Sequence, residues 1–188
     1  MGRAMALEFV SRGWKVAGGA RSTDDLETLR NKLQSDHFID FLDVTDPAGV
    51  DSFASRTEEV LGVPDLLVNN AGLINRNAPL AEITPEEFSS VLSVNLGGIH
   101  NMIRSFVPKM IEKGQGIIAN FSSYWGQSTA PEVAPYCATK WGVEGLTKWI
   151  NSCSFQPRSH QYRYAPIHFW KPSEGLRDSQ SMGSSCGY

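Results

Sequence analysis

Tyr136-Cys-Ala-Thr-Lys140 sets a phenol and an ammonium four residues apart. On a helix that spacing puts both on one face. A phenol with a pKa near 10 exchanges protons poorly at neutral pH. A cation beside it favours the phenolate, so the pair can pass a proton to or from a substrate oxygen. The spacing alone also describes a surface Tyr–Lys pair. Three other groups bear on the choice. Ser122-Ser123 closes the apolar run Ile117–Phe121, and α/β sheets hold ligands at the ends of buried strands. Asn69-Asn70-Ala71-Gly72 closes a second such run, and its Ala-Gly pair is small enough for a ligand to come close. Asn95 stands among apolar residues in Ser-Val-Asn-Leu-Gly-Gly, where a lone amide is ordinarily a hydrogen-bonded core group.

These groups need a scaffold, and residues 1–150 alternate helix and strand patterns. Residues 2–12 read as a helix with Gly13 behind it, and 15–20 as a short strand. A helix capped by Thr23 covers 23–33, a strand 38–44, and Thr45-Asp46-Pro47 opens a helix to 61. Leu66–Asn69 is continuous enough in apolarity for a buried strand. Thr84, followed by Pro85, Glu86 and Glu87, starts a helix, in one or two pieces, to 112. A strand at 116–121 and a helix at 136–150 complete the series. Such alternation with short links predicts an α/β fold, a parallel sheet with helices on both faces. Residues 151–188 differ: eight serines, no Val, and only Ile167 and Leu176 as branched aliphatics. That composition predicts a largely irregular C-terminal tail after a 1–150 domain. Ala165–Trp170 followed by Lys171–Gly175 carries a faint strand-then-turn pattern.

The whole chain has 188 residues, 41% apolar, with a formal charge of −3. No basic field exists to attract nucleic acid. Every apolar run is too short to span a membrane. Glu8, Arg12 and Lys15 break any signal-peptide core, and Ala6 falls where a myristoylation signal needs Ser or Thr. Cys137, Cys153 and Cys186 lack metal-ligand spacing and read as reduced thiols of a cytoplasmic protein. The four histidines have no ligand spacing either, so no metal is expected. The sequon Asn120-Phe-Ser122 lies at a strand end, not in a surface loop.

Taken in order, Asn69–Gly72, Asn95, Ser123 and the Tyr136/Lys140 pair resemble the short-chain dehydrogenase/reductase family. The resemblance covers about residues 2–150. The wording at 72–77 and 133–141 is most similar to a plant branch of that family that reduces pterin aldehydes with NADPH. It implies a Rossmann-type, doubly wound, three-layer sheet. It also implies NADP(H)-dependent reduction of an aldehyde or ketone, a small-molecule carbonyl substrate. Tyr136 would protonate the carbonyl oxygen, Lys140 would lower its pKa and bind the nicotinamide ribose, and Ser123 would hold the oxygen. Asn95 would anchor a water in the proton relay. Asp43 with Val44 would lie beside the adenine, and Asn70, Ala71 and Gly72 would line the adenosine and ribose region. Where NAD-selective members place a carboxylate on the ribose, this chain has Ala20, Arg21 and Ser22. Arg21 can grip a 2′-phosphate with its planar fork.

The family opens with a strand and a Thr-Gly-x-x-x-Gly-x-Gly turn. Here only the last glycine is matched, as Gly2, so the expected sheet is incomplete, without its first strand or its C-terminal strands. The pyrophosphate cradle is expected to be weak. A second reading follows: an inactive, truncated family member acting through helices 85–112 and 136–150, which the resemblance implies in a homo-oligomer. Tyr124-Trp-Gly-Gln-Ser128 reads equally as a substrate border or as core packing.

Overall fold

The computed structural model describes residues 1–33, 36–152 and 163–167. Three caps set three helix starts. The Ser22 hydroxyl accepts from Asp25 N at the head of α2 (Thr23–Arg30), one residue earlier than the expected Thr23 cap. Asp46 accepts from Ala48 N before α3 (Pro47–Leu61), whose first position is proline. Thr84 accepts from Glu87 N before α4 (Pro85–Leu92). Each cap satisfies one of the donors a helix start leaves open. Helix α1 (Gly2–Ser11) is followed by Gly13 at φ 81°, a left-handed turn residue.

Helix α4 runs into a wide i→i+5 turn, Ser93–Gly97, before α5 (Gly98–Lys113). The predicted long helix is therefore two α-helices joined by a π turn, with buried Asn95 at its middle. Insertions of this kind are frequent at functional sites.

Strands β1 (Ala17–Ala20) and β2 (Phe38–Phe41) pair in parallel, Ala17 opposite Phe38. Strands β3 (Leu66–Asn69) and β4 (Ile117–Phe121) also pair in parallel, Leu66 opposite Ile117 and Asn69 opposite Asn120. Neighbouring residues of β2 establish the layers. Phe38 packs on Phe53 of α3, ring centroids 5.3 Å apart, in a cluster with Leu67, Phe106, Met110 and Ile118. The next residue, Ile39, packs with Ala6 of α1 and Leu26 and Leu29 of α2. Successive strand side chains point to opposite faces, so helices cover both faces in three layers. Each fully buried Leu, Ile or Phe contributes about 1.5–3 kcal/mol.

Among the described residues the strands form two sheets, β1-β2 and β3-β4-β5. A cavity of about 920 Å³ is lined by both β1 and β3, together with the start of α1. The incomplete sheet is thus observed. One strand exceeds expectation: β5 (Arg163–Ile167) lies parallel to β4, with Phe121 opposite Ile167. Poverty in branched aliphatics did not exclude it, because ladder hydrogen bonds come from the backbone and Pro166 is tolerated on an outer strand. The rest of the 151–188 reading, beyond the end of α6 (Ala134–Ser152), lies outside the described residues.

Candidate active site

Strand β4 delivers Ser123 and helix α6 delivers Tyr136 and Lys140. Ser123 is extended (φ −150°, ψ 165°), and its hydroxyl accepts from Trp125 N at 3.3 Å, capping the short turn Tyr124–Gly126. A Cβ at Gly126 would stand 2.6 Å from Ser122 Oγ and 3.0 Å from the Lys140 carbonyl. Glycine there lets the serine-bearing turn lie directly on α6.

Lys140 is buried and donates from Nζ to the Phe121 carbonyl at 2.8 Å. Its Nζ is 5.3 Å from the centre of the Tyr136 ring. Burial pushes its pKa down to about 8. The Tyr136 phenol moves the other way from the expected direction: burial raises its pKa above the usual 10, although hydrogen bonding to Ser123 pulls it down. The cation that was to favour the phenolate is itself destabilised by desolvation. Trp125 meets the Tyr136 ring edge to face, centroids 5.9 Å apart at 89°.

Asn95 is enclosed. Its Oδ1 accepts from Leu73 N at 2.7 Å, and Nδ2 donates to Leu73 O at 2.9 Å and Thr139 Oγ1 at 2.8 Å. Both amide hydrogens are therefore committed to protein partners. Asn75, which the sequence reading did not single out, is buried and accepts from Tyr136 N at 3.3 Å while donating to Glu132 O at 2.9 Å and Arg76 O at 2.7 Å. It caps an open donor in the first turn of α6 from 61 residues away. Glu132 is held in the left-handed region at φ 64°, and its carbonyl also accepts from Ala78 N.

The cavity gathers most of the remaining predicted positions. Gly2, Arg21, Asp43, Val44, Asn70, Ala71 and Gly72 all line it, and Ser22 does not. Ser22 is engaged as the α2 cap. A Cβ on Gly2 would approach Asn70 Nδ2 to 3.0 Å, so α1 begins in contact with the β3 exit. Asp43 is held below the usual carboxylate range, first by hydrogen bonds from Thr45 and then by the Arg21 charge. Gly72, which lines the cavity, also lies near Asn95 and Lys140. A Cβ there would be 3.7 Å from Asn95 Oδ1 and 3.8 Å from Lys140 Nζ. The volume falls within the ~300–1,000 Å³ of ligand pockets, and the lining combines polar groups at Arg21, Asp43 and Asn70 with apolar side chains such as Leu67 and Phe106. No cluster of His, Cys, Asp or Glu among the described residues could hold a metal ion, and no described helix is long and apolar enough to cross a membrane.

A parallel three-layer α/β domain with Ser, Tyr and Lys converging at strand ends defines a class. The short chain dehydrogenase family profile matches residues 1–153, and the chain belongs to that family, with its Rossmann-type fold. It is 45% identical over 152 residues to the NADPH-dependent pterin aldehyde reductase of Arabidopsis thaliana, covering 80% of this chain and 63% of that protein. It is 32% identical over 148 residues to a 2-dehydro-3-deoxy-L-rhamnonate dehydrogenase (NAD(+)) of a Sphingomonas strain, covering 79% and 59%. Among solved structures, a metagenomic short-chain oxidoreductase in complex with NADP superposes with a TM-score of 0.78 at 30% identity, over 89% of this chain and 76% of that one. Serine dehydrogenase from Escherichia coli gives 0.81 at 26% identity, over 89% and 76%. The chain spans about three fifths of the length of the curated relatives it matches.

Proposed function

We propose that this chain binds NADP(H) in the cavity between β1 and β3 and reduces an aldehyde or ketone carbonyl beside Tyr136, a pterin aldehyde being the first substrate to test. The observation that carries the reading is Gly72. It lines the cavity that gathers the predicted cofactor residues and stands beside Asn95 and Lys140. The 45% identity to the plant pterin aldehyde reductase supports the substrate class.

The cofactor, when bound, supplies the hydride. Arg21 offers the ribose 2′-phosphate a fixed fork of donors, and the start of α1 lines the same cavity. As the carbonyl carbon is reduced, negative charge builds on its oxygen. Ser123 and Tyr136 hold that oxygen by hydrogen bonds, which stabilise the developing charge. Tyr136 then gives up its proton to it. A phenol kept protonated by burial is ready as an acid throughout the neutral range, and transfer to an alkoxide runs downhill. Lys140, cationic below about pH 8, offsets the charge left on the phenolate. Asn95 braces the loop after β3 against α6 through its side chain, whose hydrogen bonds leave it no free amide hydrogen for a water.

The test is consumption of NADPH by the 188-residue chain with a pterin aldehyde, alongside Tyr136→Phe. That variant keeps the ring and removes the transferable proton. Turnover should fall about 10²–10⁴-fold with folding unchanged. Equal turnover in the two proteins would remove Tyr136 from the mechanism.

A further inference from the structure

We infer that Thr139 is a positioning residue for Tyr136, tying the first turn of α6 to the π turn through Asn95; the inference rests on the reductase reading above. Thr139 is completely buried, and its hydroxyl is used twice. Oγ1 accepts from Asn95 Nδ2 at 2.8 Å and donates to the Tyr136 carbonyl at 2.7 Å. The direction of this relay is forced. Leu73 presents both an N–H and a C=O to the Asn95 amide, so Oδ1 must face the N–H and Nδ2 the carbonyl. Nδ2 is then a donor toward Thr139, which must accept from it. The Thr139 proton is left with the Tyr136 carbonyl, which can only accept.

The result is one continuous string: Leu73 after β3, Asn95 in the π turn, Thr139, and the backbone of Tyr136 itself. It joins three segments that are remote in sequence, Asn95 lying 22 residues from Leu73 and 44 from Thr139. Its last link holds the peptide that carries the phenol. Rotation of that turn about the helix axis would swing the hydroxyl away from Ser123, and a misplacement of about 1 Å costs on the order of a hundredfold in rate. Valine at 139 keeps the shape and loses the hydroxyl. It leaves one Asn95 hydrogen and the Tyr136 carbonyl without this partner, in a site closed to water. Serine keeps the hydroxyl and loses only the methyl.

The experiment compares the full 188-residue wild type, Thr139→Val and Thr139→Ser. With NADPH and a pterin aldehyde, Thr139→Val should lose about 10–100-fold in kcat while KM for NADPH changes less than about threefold. Thr139→Ser should return kcat to within about threefold of wild type. A second readout needs no turnover: the Tyr136 ring 13Cζ resonance, assigned with Tyr136→Phe. It should move in Thr139→Val and stay in place in Thr139→Ser. Wild-type kcat in Thr139→Val, or an equal loss in both variants, would overturn the inference. If the wild type itself does not turn over, the reductase reading fails by itself. The resonance then decides the Thr139 link alone, and a resonance common to all three proteins, or displaced equally in both variants, would refute it.

Discussion

Replacing Lys140 by Met should change how stability depends on pH, and the size follows from burial. The folded protein holds the Lys140 pKa at about 8, against 10.5 for the ordinary side chain, because desolvation disfavours the cation. At 1.36 kcal/mol per unit, a fall from 10.5 to about 8 corresponds to about 3 kcal/mol. The sign is that of a depressed cation. Below about pH 8 both states carry the proton, and folding bears the full cost of the buried charge. Between about 8 and 10.5 the unfolded chain binds more proton than the folded one, so stability rises with pH. Above 10.5 the cost is gone. Urea unfolding of wild type and Lys140→Met at intervals from pH 7 to 10.5 isolates this group, since every other titration is common to both proteins. The stability of wild type minus that of Lys140→Met should rise by about 3 kcal/mol across the window. Tyr136, whose phenol is raised above 10 by burial, acts oppositely only at the alkaline end and is present in both chains. A difference that stays flat with pH would refute the argument that Lys140 is a desolvated cation.

Three further outcomes are expected. Arg21→Ala should weaken NADPH binding about 10–100-fold in calorimetry, the worth of a charge-assisted contact of roughly 1.5–3 kcal/mol, and leave NADH binding unchanged. Gly126→Ala should lose about 1–3 kcal/mol in denaturant unfolding and lower turnover, because its Cβ would press on Ser122 Oγ and the Lys140 carbonyl. Asn75→Ala should lose about 2–3 kcal/mol of stability, three hydrogen bonds of about 1 kcal/mol each, read from the urea midpoint.

The parts of the site legible in the sequence were those fixed by local geometry. Tyr136 and Lys140 stand at helical spacing, and Ser123 follows a run apolar enough to be a buried strand. Gly2, Arg21, Asp43, Val44, Asn70, Ala71 and Gly72, singled out mainly by the resemblance to the family, line one cavity in the structure. Ser22 went to a helix cap instead, displacing Thr23 by one residue, as befits two hydroxyl side chains that compete for the same N–H. Asn75 and Thr139 carried no local signal. An asparagine in a loop and a threonine in a helix are ordinary, and the contacts that tie them into the site reach 44 residues from Thr139 to Asn95 and 61 from Asn75 to Tyr136. The direction of the Tyr136 shift was misjudged for a related reason. Spacing shows that a cation is near, whereas the desolvation that weakens the cation depends on packing from strands and turns elsewhere in the chain.

Helix α6 shows what this buried polarity accomplishes. An apolar helix face can slide or rotate against a sheet with little loss, since hydrophobic contact has no direction. Here polar links pin α6 at successive turns. Asn75 holds the Tyr136 N–H and Thr139 meets Asn95. Lys140 reaches the Phe121 carbonyl, and Thr147 accepts from Asn120 Nδ2 at 3.1 Å, Asn120 in turn accepting from Asn69 at 2.8 Å. These residues are buried, so a slip of one turn would strand several donors and acceptors at once, at roughly 1–3 kcal/mol each. The partners of α6 come from the exit of β3, the π turn and β4. The same elements carry Gly72 and Ser123. Alignment of the helix that carries Tyr136 and alignment of the groups that face it therefore rest on a single set of bonds. The polar core of this domain fixes where the phenol points as directly as it fixes how the helix packs.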